Sequence, residues 1–268
     1  MANAALAVLE TALRHRKLDR TLTTALPPIE RADSTTLIPF DLAALDMMLR
    51  GGLPRGQLSE IAGPSSSGRT TLLLRLLGVT TRADEIAAFV DTCDRLDVAS
   101  AQAAGIDFER LLWIRGKSFV DRAIKALNLV LQAGGFAIVA IDLADVPPRE
   151  LKSLPLTTWL RLQRVIEGSD TACVLIVREP LARSAGGLTV MCTGQPTWDD
   201  ATSQARLTGL ATAIRVVSPR RHVVGEAAVK ALAIDESTNL RIDGFPHRME
   251  IDDDPLATAS SIRQFVNS

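Results

Sequence analysis

The stretch Glu60-Ile61-Ala62-Gly63-Pro64-Ser65-Ser66-Ser67-Gly68-Arg69-Thr70-Thr71 decides the fold of this chain. Gln57–Ile61 has the pattern of a strand, and Thr70–Leu77 has the pattern of a helix. The two glycines between them let the backbone turn back on itself, so that successive N–H groups converge on one anion. The N-terminus of the following helix adds partial positive charge. The stretch therefore predicts an anion-binding loop between a strand and a helix.

The spacing of this loop is that of the Walker A motif, except that Arg69 stands where the motif has lysine. Arginine keeps the charge and can pair with phosphate, but it is longer and planar and cannot act as a point charge between phosphates. We therefore predict retained or weakened nucleotide binding and impaired hydrolysis. The alternative is a turn rich in glycine and serine without a ligand. The predicted phosphate-binding residues are Gly63, Pro64, Ser65, Ser66, Ser67, Gly68, Arg69, Thr70 and Thr71.

Two residues are predicted to bind Mg²⁺. Thr70 places a hydroxyl at the start of the helix, where it can bind the ion. Asp142 follows the apolar run Phe136–Ile141, and an aspartate after such a strand is the Walker B arrangement, in which the carboxylate meets Mg²⁺. In the alternative interpretation, Asp142 only caps its strand.

Apolar strands alternate with helical segments along most of the chain. Such alternation predicts an α/β fold with a mainly parallel, twisted sheet flanked by helices. Leu188–Thr193 and Ala211–Val217 are predicted to extend one edge of the sheet. Gly194–Gln204 between them is predicted to be a loop, in which Trp198 closes an edge of the core or, alternatively, anchors a partner.

Composition narrows the classes of protein that this chain can represent. The chain has 268 residues, 47% of them hydrophobic, and a net charge of −1. This length allows one sizeable core, and nothing in the overall charge indicates nucleic acid or a membrane. The three scattered cysteines suit a reducing compartment and lack metal-ligand spacing. Because no signal peptide or membrane-spanning run is visible, we expect a cytoplasmic protein.

Three regions are predicted along the chain. Residues 1–34 form an N-terminal helix on a linker, residues 35–220 form the core, and residues 221–268 form a C-terminal extension that ends in a tail. The N-terminal helix either folds back on its own domain or docks on another protomer.

The chain resembles the RecA recombinase family over roughly residues 35–220. The similarity includes Ile38–Leu42, Gly51–Gly56, Phe89–Asp97 and Ala104–Asp107, which are more specific than the loop alone. The resemblance implies a RecA-like P-loop core that binds ATP or ADP with Mg²⁺. It places Asp97 near the nucleotide base and suggests a homo-oligomer formed through the N-terminal helix, since RecA protomers grip a neighbour in this way.

Several departures from the family pattern concern hydrolysis. Cys93 occupies the place of the catalytic glutamate, so no catalytic residue is assigned. Arg178-Glu179 replaces an Asn-Gln pair whose glutamine senses nucleotide in the family. Ser100 stands where an aromatic ring stacks on adenine.

The loop and the segment Arg178–Ala185 resemble the ImuA family, RecA-like accessory proteins of bacterial translesion synthesis. This resemblance implies a role in the SOS response to DNA damage and in mutagenesis. The implied partners are an ImuB-type homologue of Y-family polymerases and an error-prone replicative-type DNA polymerase, with RecA as a further candidate. Arginines in the C-terminal half allow only a weak, local contact with DNA. The alternatives are a DNA-dependent ATPase of recombination and a cell-division inhibitor of the SulA type.

Overall fold

A computed structural model of the chain describes residues 37–116, 119–182, 187–199, 206–218, 226–232 and 248–250, together with Ile262 and Phe265. The chain divides into Met1–Thr35 and Thr36–Ser268, and all described residues belong to the second unit. The helix and linker predicted over residues 1–34 lie outside the described residues. No helix in the described part is both long and apolar enough to cross a membrane.

Helices and strands alternate through the first two thirds of this unit. The α-helices are α1 (Ala43–Met48), α2 (Arg69–Arg82), α3 (Val98–Ala103), α4 (Val120–Ala133), α5 (Pro148–Ser153) and α6 (Leu156–Ile166). A short 3₁₀ helix spans Phe108–Arg110. The strands are β1 (Leu37–Ile38), β2 (Leu53–Pro54), β3 (Leu58–Ala62), β4 (Ala87–Asp91), β5 (Leu111–Arg115), β6 (Ile138–Asp142), β7 (Ala172–Val177), β8 (Thr189–Asp199), β9 (Arg206–Ser218), β10 (Glu226–Leu232) and β11 (Arg248–Glu250).

Nine of these strands form one sheet, in the order β10-β9-β8-β3-β7-β6-β4-β5-β11. Pairing is parallel from β8 to β11 and antiparallel between β8, β9 and β10. Strands β1 and β2 form a separate antiparallel pair. The predicted α/β fold with a mainly parallel sheet is confirmed. Because parallel strands end at the same edge, the residues after β3, β4, β6 and β7 lie together, and this edge carries the phosphate loop.

The sheet is buried on both faces. One core cluster contains Leu73 and Leu76 of α2, and the other contains Leu127 of α4 and Trp159 of α6. Consecutive residues of a strand belong to opposite clusters, which explains why the central strands are apolar without alternation.

Strand β8 includes Gly194–Asp199, the first part of the region predicted to be a loop, and residues 200–204 lie outside the described residues. It pairs with β9 over its whole length, and Gly194 lies opposite Thr212. Trp198 is on this strand and is 54% exposed, so the interpretation that it closes a core edge is wrong. The physical reason is that backbone pairing with β9 creates the strand, while most side chains from Thr193 onward are exposed and give no pattern of burial.

The predicted C-terminal extension contributes to this unit. Strands β10 and β11 lie at the two edges of the sheet. Ile262 and Phe265 are buried in the second core cluster, where the ring of Phe265 stacks on Phe136 with 6.2 Å between centroids. These two side chains therefore belong to the core and not to a tail.

Candidate nucleotide-binding site

The predicted phosphate loop leads from β3 into α2. The N–H of Gly63 donates to the carbonyl of Val177 on β7 at 3.1 Å, which joins the loop to the adjacent strand. Gly68 has a φ of +87° and precedes α2 with no side-chain cap. A Cβ atom at Gly68 would lie 2.2 Å from Oγ1 of Thr212. Both the backbone angle and the close contact therefore require glycine at this position.

The loop has an exposed rim above buried groups. The buried members are Gly63, Ser67 and Arg69, and the exposed members are Pro64, Ser65, Ser66, Thr70 and Thr71. Because α2 begins without a side-chain cap, the N–H groups of its first turn are available to an acceptor outside the protein. This arrangement matches the predicted anion cradle.

Arg69 lies under the loop. Its side chain donates from Nη1 to the carbonyl of Gly63. Its Nε and the hydroxyl of Ser67 are buried and have no hydrogen-bond partner within the described part of the chain. Leaving a buried polar group unpaired costs about 1–3 kcal/mol. An anion seated in the loop would supply acceptors at this place, so the residues present fit a phosphate group.

Asp142 ends β6 on the same edge of the sheet. Its Oδ1 accepts the N–H of Ala144 at 2.9 Å. Burial raises the pKa of this carboxyl to about 6, although the N–H of Ala144 and the positive charge of Arg69 act in the opposite direction. Asp142 therefore lies within electrostatic range of the loop, where a Mg²⁺ ion bound to phosphate would favour its charged form.

Asp91, the last residue of β4, organises the segment that carries Cys93. The Asp91 carboxylate accepts the N–H groups of Arg95 and Leu96, both at 2.8 Å, and Nε1 of Trp113 at 3.2 Å. These bonds hold residues 92–96 in a turn, so α3 begins only at Val98. Cys93 is partly buried and packs against the second core cluster. Its thiol supplies no carboxylate to activate water.

Asp97 lies at the N-cap of α3. Its Oδ2 accepts the N–H of Ser100 at 2.8 Å and the Ser100 hydroxyl at 2.5 Å. The hydroxyl and N–H of Ser100 lower the pKa of Asp97. The carboxylate thus has a capping role, and its contact with a nucleotide base stays a prediction.

The sequence analysis missed the support that the loop receives from β8 and β9. A Cβ atom at Gly194 would lie 2.3 Å from the carbonyl of Ser66 and 2.9 Å from Cα of Ser67. Thr212, opposite Gly194 on β9, lies against Gly68. The sequence contains only a weak signal, a glycine directly after the predicted strand Leu188–Thr193, and a glycine within a strand often marks a close approach of backbone.

Comparisons with known proteins agree with this geometry. Residues 29–153 match the RecA N-terminal domain family. Protein RecA of Clavibacter michiganensis subsp. michiganensis is 38% identical over 145 residues, which are 53% of this chain and 40% of that protein. Protein RecA of Symbiobacterium thermophilum is 37% identical over 130 residues, which are 47% of this chain and 37% of that protein. The matches thus span less than half the length of these relatives. They support assignment of the matched region to the RecA superfamily, as a RecA-like nucleotide-binding domain.

Proposed function

We propose that this protein binds ATP or ADP with Mg²⁺ and hydrolyses ATP poorly. The observation that carries the proposal is the combination of a phosphate cradle with Cys93 at the place of the water-activating carboxylate. The cradle brings together buried, unpaired polar groups and an uncapped helix N-terminus. Binding and turnover depend on different groups, so one can persist without the other.

Each group has a distinct role in this proposal. The N–H groups of the loop and of the first turn of α2 bind phosphate oxygens, and Arg69 supplies the positive charge beneath them. Thr70 and Asp142 hold Mg²⁺, which neutralises phosphate charge when it is bound. Asp91 keeps the segment of Cys93 in place through three accepted hydrogen bonds, and at 1% exposure its carboxylate is not open to an attacking water molecule.

Calorimetry and a phosphate-release assay on the same preparation test this proposal. We expect ADP and a non-hydrolysable imido analogue of ATP to bind in the presence of Mg²⁺, with ATP turnover far below that of ordinary ATPases. Thr70→Val should weaken the Mg²⁺-dependent binding, because Thr70 is exposed on the rim and its hydroxyl is the proposed ligand. Rapid turnover of ATP by the wild-type protein would contradict the proposal. If neither nucleotide binds, the loop no longer functions in nucleotide binding.

We further propose that the protein is an ImuA-type accessory factor of the SOS response. In this role it supports error-prone translesion synthesis in the cytoplasm through contacts with an ImuB-type polymerase homologue and an error-prone replicative-type polymerase. The similarity of the phosphate loop and of Arg178–Ala185 to that family supports the proposal. RecA is a further candidate partner, and DNA is expected to bind only weakly. The N-terminal helix is proposed to dock on a partner or on a second copy of this chain.

Co-purification with candidate partners separates this role from its rivals. We expect the ImuB-type protein to be retained by the full-length chain. Retention of the tubulin-like division protein instead would favour a SulA-type inhibitor. Turnover that DNA stimulates strongly would favour an ATPase of recombination.

A further inference from the structure

Helix α6 has a buried face and an exposed face. Trp159, Leu162 and Ile166 are buried in the second core cluster. The opposite face carries Leu156 and Leu160, which are 73% and 58% exposed. Because these two leucines are four residues apart, their side chains lie one turn apart and form a single apolar ridge. The buried face already holds the helix to the core, so the ridge is not needed for that contact.

Helix α4 packs beside α6 on the same side of the sheet and gives a comparison within the molecule. Its exposed positions are Asp121, Lys125 and Gln132, all of them polar. This is the usual composition of a helix face that meets water. The exposed ridge is therefore a feature of α6 and not of this side of the protein as a whole. Neighbouring apolar side chains left in water and rimmed by polar groups are typical of protein interaction sites.

Basic side chains accompany the two leucines. Arg164 continues the ridge by one further turn, and Arg161 lies next to it on the exposed face. Arg149 and Lys152 are exposed on α5, which leads into α6. Within the residues that the structure describes, none of these four side chains makes an ion pair. Residues 148–166 carry a net charge of +3 in a chain whose net charge is −1, so positive charge is concentrated here.

The chemistry of this face selects its occupant. A second copy of the chain that docked through the same face would bring the arginines of both copies together, which like charges oppose. Nucleic acid would attract the arginines, but contacts with its phosphates leave the leucines in water. A protein segment with apolar and acidic side chains satisfies both kinds of residue, because interfaces combine an apolar centre with complementary charge at the rim.

We propose that the exposed face of α6 docks an acidic amphipathic helix of a partner protein. Leu156 and Leu160 contact the apolar side chains of that helix, and Arg161 and Arg164 pair with its carboxylates. A ridge of residues spaced four apart packs into the groove of a second helix, which is why a helix fits this face.

This face is separate from the candidate nucleotide site. Oε1 of Gln163 on α6 accepts the N–H of Leu58 at 2.9 Å. Leu58 is the first residue of β3, whereas the phosphate loop follows the last residue of that strand. The inference therefore does not rest on nucleotide binding, and substitutions on this face should leave nucleotide affinity unchanged.

Fluorescence anisotropy with two labelled synthetic helices tests the inference on the full-length protein. The acidic probe carries leucines one turn apart with glutamates on both sides, and the basic probe has lysine in place of each glutamate. We expect the acidic probe to bind, more weakly at high salt, and the basic probe not to bind. Leu156→Ser with Leu160→Ser should weaken binding of the acidic probe at least about tenfold, because two apolar anchors are lost. Arg161→Glu with Arg164→Glu should reverse the preference, so that the basic probe binds more tightly than the acidic one.

Lys125→Glu is the matched control, because it reverses an exposed charge on α4, among polar positions. It should change the dissociation constant of the acidic probe by less than about twofold. A loss of binding equal to that in the arginine variant would show a response to net charge alone and would overturn the inference. Failure of the acidic probe to bind, or binding that survives the loss of both leucines, would do the same. A dimer that the leucine variant abolishes, or a single-stranded oligonucleotide that binds this face without need of the leucines, would assign the face to a different occupant and also overturn it.

Discussion

Arg69 shows how a single side chain alters a phosphate loop without removing its charge. The guanidinium reaches the carbonyl of Gly63 and is only 7% exposed. Lysine would carry one charge at the end of a flexible stem, whereas arginine brings a rigid fork with an additional buried N–H. In the proposed function the loop therefore keeps its attraction for phosphate, but it lacks a point charge that can follow a moving phosphate group.

The pair Arg69→Lys and Cys93→Glu is predicted to restore hydrolysis. Lysine supplies the point charge, and glutamate supplies a base at the place that the family's catalytic glutamate occupies, which typically accelerates a reaction by about 10²–10⁴-fold. We expect the double variant to release phosphate from ATP at least about tenfold faster than the wild-type protein.

Cys93→Gln, combined with Arg69→Lys, is the control for this experiment, because it adds the same bulk without a base. Recovery of turnover by Arg69→Lys alone would mean that the arginine, and not the missing carboxylate, limits hydrolysis.

Asp142→Asn is predicted to stabilise the fold and weaken Mg²⁺-dependent nucleotide binding. Because the native pKa is about 6 and the ordinary value is 3.8, the native state binds more protons than the unfolded state between these pH values. Stability therefore falls as the pH rises through this window and is then constant. At pH 7.5 the variant should be more stable by about 1–3 kcal/mol.

Thermal unfolding at several pH values measures this effect. The gain in Tm should be largest above pH 6 and should disappear near pH 4, where the native carboxyl is already neutral. Asp170→Asn, at an exposed position, should leave Tm nearly unchanged. A gain that is the same at every pH would show that charge burial is not its cause.

Among the elements, the β8–β9 hairpin has a role that no motif indicated. Its backbone lies against the phosphate loop at Gly194, and Thr212 lies against Gly68. The shape of the loop therefore depends on residues more than a hundred positions later in the chain. These contacts with β8 and β9 explain how a loop that contains the flexible residues Gly63 and Gly68 can keep one conformation.

Gly194→Ala is predicted to impair nucleotide binding. The added Cβ would lie 2.3 Å from the carbonyl of Ser66, so the loop must shift. We expect the dissociation constant for ADP to rise by at least about tenfold, with a loss of stability of about 1–3 kcal/mol. Calorimetry and thermal unfolding measure the two effects.

Gln195→Ala is the matched control, because Gln195 is the next residue on the same strand and is exposed. Its binding and stability should resemble those of the wild-type protein. Unchanged binding by Gly194→Ala would mean that the hairpin does not set the shape of the loop.

At the scale of the whole molecule, the C-terminal residues complete the core that supports the site. Phe265 is 8% exposed and packs in the cluster that covers one face of β6 and β7. The same strands end at Asp142 and Val177, on the edge that carries the proposed nucleotide site. Stability of the core that carries these strands therefore depends on residues outside the matched RecA-like region.

Phe265→Ala is predicted to lower the free energy of unfolding by about 3–5 kcal/mol, the usual loss for a buried phenylalanine. Denaturant unfolding measures this loss. Nucleotide affinity at a temperature well below Tm should change little, because the cluster lies on a face of the sheet and not at its edge.

Leu160→Ala provides the comparison, since Leu160 is an apolar residue of α6 that is 58% exposed. Its loss should change stability by less than about 0.5 kcal/mol. Similar losses in the two variants would show that Phe265 does not contribute to the core in solution.

The sequence predicted the parts of this protein that depend on local pattern. The α/β class and the alternation of strands and helices along the chain followed from apolar runs. The loop between β3 and α2 followed from the spacing of its glycines. Both patterns extend over only a few residues. Asp142 was singled out in the same way, because an apolar run before an aspartate is visible in the chain, and its binding of Mg²⁺ stays a prediction.

By itself, then, the sequence determined the fold class and the glycine-containing loop between β3 and α2, whereas tertiary structure decided what surrounds that loop. The extension of β8 depends on backbone pairing with β9, and the burial of Phe265 depends on packing against Phe136. Arg178 meets Asp145, and Gly194 meets the loop, only because parallel strands bring distant residues to one edge. Contacts between residues far apart in the chain leave no periodic signal, and for this reason only the folded structure shows them.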